Sequence, residues 1–135
     1  MTSENVRRRS GGDRRADIGR LGEDLAAAYL TGRGFTVLER NWRNRCGELD
    51  LITATGSTLV IVEVKTRASH VFTDPVLAVT REKLIRMRKL ARMWLSEQHT
   101  HWREIRFDVV SVQLDPAAPM RPENAEVRHH VGVSQ

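Results

Sequence analysis

The sequence predicts a single α/β domain of order α-β-β-β-α-β, with a mixed central sheet flanked by helices. Three observations predict it. A helical period runs from Ile18 to Leu30 and is stopped by Gly32 and Gly34. Gly47 to Arg67 reads GELDLITATGSTLVIVEVKTR, two β patterns about the turn Thr55-Gly56-Ser57. A helical stretch from Arg81 to Glu97 then separates the aliphatic run Leu59–Val62 from the apolar strand Glu104–Val112. Strand-helix-strand crossovers are right-handed and make the two strands parallel, whereas the hairpin is antiparallel.

The chain has 135 residues, enough for one core and too few for two. An apolar fraction of 40% and a charged fraction of 29% fit a soluble globular protein. No run approaches a membrane span, which argues against a membrane partner, and no apolar segment follows the N-terminal arginines as a secretory signal requires. The lone Cys46 excludes an internal disulfide framework, suits a cytoplasmic protein and reads as a structural thiol. The net charge of +5 and a pI near 10.3 favour a polyanionic partner. Oligomeric state is left open, a homo-oligomer included.

Residues 1–17, with Arg7, Arg8 and Arg9, are expected to form a disordered basic arm, either a solubilising tail or a track for phosphate backbone. Residues 18–115 form the domain. Residues 116–135 make a polar extension bearing Pro116, Pro119 and Pro122, with a short edge strand at Glu126–His130. On the first helix Ile18, Leu21, Leu25 and Ala28 form the stripe, flanked by Tyr29. Glu23 falls between Ala27 and Leu30, inside the packed arc, where a carboxylate needs a reason. Gly19 and Gly22 suggest a close approach to the sheet. Phe35–Leu38 opens a strand that runs to Trp42, a core or hairpin anchor, and Asn41–Arg45 reads as a basic turn.

In the hairpin, Leu49 and Leu51 point one way, and Glu48, Asp50 and Ile52 the other. Pairing about Gly56 sets Asp50 opposite Val62 or Glu63, while Glu63 and Lys65 share a strand face about 6.6 Å apart. Two readings follow. One is a salt-bridge cluster in which Lys65 and Arg67 offset Asp50 and Glu63. The other is an oxygen-ligand site for a divalent cation with a lysine beside it. The connection Ala68–Val79 is long for a segment without regular structure and suggests a substrate-facing loop. Thr80 caps the next helix, whose buried stripe is Leu84, Met87, Ala91 and Trp94 with Leu95. Arg81, Lys83, Arg86, Arg88, Lys89 and Arg92 flank that stripe, as a solvated face or a phosphate-contacting surface. Asp108 in the last strand is a salt-bridge partner or a support for the site. His99, His101, His129 and His130 lack zinc-site spacing and read as surface histidines.

Four blocks in this order carry a resemblance: Gly22-Glu23, Gly47-Glu48-Leu49-Asp50-Leu51-Ile52, Val62-Glu63-Val64-Lys65-Thr66-Arg67 and Arg106-Phe107-Asp108-Val109-Val110. They resemble the YraN-like family of small bacterial nuclease-like proteins, within the restriction-endonuclease-like superfamily. Active sites there combine an aspartate with a following Glu/Asp-x-Lys, commonly after a helix glutamate. The resemblance runs from about Ile18 to Val112 and implies a restriction-endonuclease-like core, arranged much as in archaeal Holliday-junction resolvases. Relatives tend to have Phe-Gly before the loop proline, where this chain has Phe72-Thr73-Asp74-Pro75.

Carried over residue by residue, the resemblance implies Glu23, Asp50, Glu63 and Lys65 as the catalytic set. Mg²⁺ or Mn²⁺ would be held by Asp50, Glu63 and the Val64 backbone carbonyl, with Glu23 as a further ligand, and Glu48, Arg67 and Asp108 would support. Arg7, Arg8, Arg9, Arg43, Arg81, Lys83, Arg86 and Lys89 are the cations expected to meet DNA. The expected activity is metal-dependent endonucleolytic cleavage of DNA, branched, damaged or duplex. The alternative is a nucleic-acid-binding protein that keeps the fold without turnover. The full acidic set favours the enzyme, because a binder has no use for carboxylates that repel phosphate.

Overall fold

The computed structural model describes residues 11–69 and 79–133. Helix α1 (Gly11–Gly32) is followed by strands β1 (Thr36–Asn44), β2 (Gly47–Thr55) and β3 (Thr58–Arg67). Helix α2 (Arg81–Ser96) leads to β4 (Glu104–Gln113), and β5 (Glu126–His130) closes the chain. The strands lie in the order β1-β2-β3-β4-β5, with β3 and β4 parallel and every other neighbour antiparallel. This is the predicted α-β-β-β-α-β order and mixed sheet, with the expected edge strand added at Glu126–His130. Among the described residues no helix is long and apolar enough to cross a membrane.

The helices pack on opposite faces, and β3 divides the core between them. Leu59 and Ile61 join Leu84, Met87, Leu90 and Trp94 beneath α2, whereas Val60 and Val62 join Ala26 and Leu30 beneath α1. A strand buried on both faces reads as continuous aliphatic sequence, as Leu59–Val62 does. Thr80 caps α2 through its hydroxyl, which accepts the Lys83 N–H at 3.1 Å. Trp94 reaches past the core to donate its indole N–H to Glu39 on edge strand β1.

Several expectations need correction. Helix α1 begins at Gly11, so Gly11–Asp17 is helical rather than part of a disordered arm. Asp13 sits in its first turn, where the helix dipole favours an acid, and Asp17 pairs with Arg20 one turn on at 2.5 Å. Residues 1–10, with Arg7, Arg8 and Arg9, and the loop motif Phe72–Pro75 lie outside the described residues. Ala28 is exposed, and the buried line of α1 is Gly22, Ala26 and Leu30. Gly22 explains that rotation: a Cβ there would stand 1.8 Å from Thr66 Oγ1, so this helix meets β3 through a bare backbone, whereas Gly19 faces open space. The turn expected at Asn41–Arg45 shrinks to Arg45 and Cys46, because β1 continues through Asn41, at φ 52°, to Asn44. Asn44 then closes the turn by accepting the Cys46 N–H at 2.7 Å.

Candidate active site

The β2–β3 ladder ends at the pair Leu51–Val62, which leaves Asp50 opposite Glu63 at the mouth of the hairpin. There β2 departs from simple alternation. Leu49 packs beneath α2 and Leu51 beneath α1, although the sequence pattern set them on one face. Past the last paired residues the Asp50 side chain replaces the ladder, accepting the Val64 N–H on Oδ2 at 2.8 Å. The carboxyl is thereby fixed to β3, next to Glu63.

A pocket of about 310 Å³ opens over this point, lined by Glu48, Asp50 and Glu63 from the sheet and by Lys83, Arg86, Met87 and Leu90 from α2. Two of its acids are already paired. Lys83 Nζ lies 2.5 Å from Glu63 Oε1, with the two side chains 33% and 13% exposed, and Arg43 Nη2 lies 2.6 Å from Glu48 Oε2. Asp50 has no cation of its own among the described residues. Burial first, then the Glu63 charge, and more weakly Glu23 and Glu48, push its carboxyl from 3.8 to about 7 against the lowering effect of the Val64 bond.

This shift has a sign that can be measured. Between about pH 4 and pH 7 the folded protein keeps a proton on Asp50 that the unfolded chain releases. The stability it contributes is fully present below 3.8 and is lost as pH rises through about 7. Asp50→Asn removes the charge and keeps an acceptor for Val64. It is expected to exceed the parent by on the order of 2 kcal/mol at pH 8, with a smaller gain at pH 5, in urea unfolding. An equal difference at both pH values would contradict the crowded carboxyl.

The other expected site residues divide. Glu23 on α1 is half-buried and near enough for its charge to raise Asp50, but it does not line the pocket. Lys65 alternates with Val62 and Val64, which pack on the α1 side, so it shares the face of Glu63 as expected. It does not line the pocket either, and among the described residues no ion pair reaches it. The salt-bridge reading is therefore corrected: Lys83, not Lys65 or Arg67, neutralises Glu63. Arg67 closes β3 through its carbonyl, which accepts the Leu114 N–H at 2.7 Å.

Asp108 is fully buried and belongs to a separate network. It accepts Arg106 Nε and Nη2, both at 2.9 Å, and the Gly132 N–H at 2.9 Å, and it shares a 2.7 Å hydrogen bond with His129 Nε2. His129 is not a surface histidine: its side chain is 9% exposed and stands edge-on to Tyr29 and Phe35. Of the expected DNA-contacting cations, Arg43 and Lys83 are paired to site acids. Arg81, Arg86 and Lys89, with Arg88 and Arg92, are exposed on α2 and without ion-pair partners among the described residues. Sequence reasoning missed the pairing of Lys83. Helical spacing held the signal, since Lys83, Met87 and Leu90 follow one face of α2. Among the described residues no group of three or more His, Cys, Asp or Glu side chains is arranged to hold a metal.

A model of the uncharacterised protein family UPF0102 matches residues 22–112, the span that contains all four sequence blocks. A UPF0102 protein of Mycolicibacterium vanbaalenii is 47% identical over 125 residues, covering 93% of this chain and 99% of the relative. One from Beutenbergia cavernae is 51% identical over 107 residues, covering 79% and 91%, and one from Rhodococcus opacus is 52% identical over 97 residues, covering 72% and 82%.

Proposed function

The chain belongs to the UPF0102, or YraN-like, family, and on that premise we propose that it is a divalent-metal-dependent endonuclease hydrolysing phosphodiester bonds in DNA. Branched or damaged DNA is the proposed substrate class, and the cytoplasm the proposed setting. The observation that carries this reading is Asp50, a half-buried carboxyl raised to about 7 by burial first and then by its acidic neighbours, and paired with no cation among the described residues. Crowded, buried acids are costly unless they hold something positive.

The donor set suits Mg²⁺ or Mn²⁺. Mg²⁺ takes one or two protein carboxylates and completes its shell with water and phosphate oxygens, so Asp50, Glu63 and the Val64 carbonyl suffice, with Glu23 in reserve. When bound, such an ion supplies a Lewis acid that polarises phosphate and eases deprotonation of water. Lys65, on the Glu63 face, orients the attacking water or offsets charge developing on the phosphate. Glu48 is held at the rim by Arg43. The free cations of α2, with Arg7, Arg8 and Arg9, hold the phosphate backbone in a sequence-independent, salt-sensitive manner.

One observation favours a second reading, a nucleic-acid-binding protein without turnover: Glu63 is already neutralised by Lys83. Incubation with duplex, single-stranded, flap and four-way DNA in Mg²⁺ or Mn²⁺ separates the two. The endonuclease reading expects cleavage of at least one substrate that stops with chelator. Binding without cleavage of any of them would favour the second.

A further inference from the structure

We propose that Lys83 is a built-in counter-cation that holds Glu63 in the resting site and must leave it before a divalent ion can be held there. The inference rests on the reading of Asp50 and Glu63 as cation ligands and adds to it a residue outside the four sequence blocks. The ammonium is 2.5 Å from Glu63 Oε1, inside the pocket that Asp50 also lines. Its backbone is pinned in the first turn of α2 by the Thr80 cap, so the charge is delivered from a fixed point on a flexible stem. Lysine suits a placeholder better than arginine would. Its ammonium is a compact point charge without the bidentate grip that ties a guanidinium to a carboxylate. The three pocket acids are thus treated differently: Glu48 is held by Arg43, Glu63 by Lys83, and Asp50 by neither. An entering divalent ion competes with Lys83 for Glu63, which keeps its affinity low.

Calorimetric titration of the full chain with Mn²⁺ tests this, comparing the parent with Lys83→Met, Lys83→Arg, Glu63→Gln and the Glu63→Gln/Lys83→Met double variant. Lys83→Met is expected to bind Mn²⁺ about tenfold more tightly than the parent, a difference of about 1.4 kcal/mol. Lys83→Arg should bind Mn²⁺ more weakly than the parent, because a guanidinium grips Glu63 more firmly, and the gain of Lys83→Met should vanish in the Glu63→Gln background. Saturable binding that is equal or weaker in Lys83→Met would overturn the role of Lys83 and leave the metal site standing. No saturable binding in either the parent or Lys83→Met would overturn both. If Lys83→Met does not fold, Lys83→Gln carries the same comparison.

Discussion

Asp108→Ala is expected to cost about 3–5 kcal/mol of folding stability, the range for removing one partner of a buried ion pair. Asp108 is 0% exposed and is the common acceptor for Arg106, His129 and the Gly132 N–H. Without it, a mostly shielded guanidinium, a nearly buried imidazole and a backbone donor all lose their partner together. The network also ties β4 to the segment after β5, so hydrogen exchange in β5 should accelerate first. Burial alone would raise the Asp108 carboxyl, but its bonds to Arg106, Gly132 and His129 outweigh that and hold it below 3.8. The stability it contributes is therefore present above 3.8 and is lost as pH falls through its lower folded value, opposite in sign to Asp50. Asp108→Asn should lose less, since the amide keeps one acceptor. A loss below about 1 kcal/mol for Asp108→Ala in urea unfolding would mean the network is not the clasp described.

Lys65→Ala is expected to lower cleavage at least about 100-fold while changing DNA affinity only a few-fold. The large effect follows from its place on the Glu63 face of β3, where its charge counts only when phosphate is present. The small one follows from α2, whose exposed Arg81, Arg86, Arg88, Lys89 and Arg92 remain to meet the backbone. Stability should stay level, because no ion pair among the described residues is broken. Single-turnover cleavage, fluorescence-anisotropy binding and urea unfolding on the same variant separate these terms. Parent-like cleavage, or a stability loss as large as that of Asp108→Ala, would make Lys65 architecture.

Much of the fold is legible in the sequence because its signals are local. The aliphatic run Leu59–Val62 declares a strand buried on both faces, Thr80 declares a helix start, and Thr55-Gly56-Ser57 sets the register that brings Asp50 opposite Glu63. What was missed depends on how elements meet. Ala28 looks like core until Gly22 lets α1 turn its Gly22-Ala26-Leu30 line onto Thr66 and β3. Lys83 looks like one more flanking cation until α2 crosses above the hairpin and places it on Glu63. His129 lacks metal spacing, as read, yet its burial comes from Tyr29 and Phe35, both remote in sequence. Asp108 could not be told from a site acid before β5 supplied its partners.

The claim at the centre is that Asp50 and Glu63 hold the divalent cation, and paramagnetic broadening by Mn²⁺ in isotope-labelled protein tests it most directly. The predicted result is that the amide signals of Asp50, Glu63 and Val64 broaden first and saturably, and that Asp50→Ala abolishes the effect. Broadening that starts elsewhere in the chain, or that survives Asp50→Ala unchanged, would contradict it.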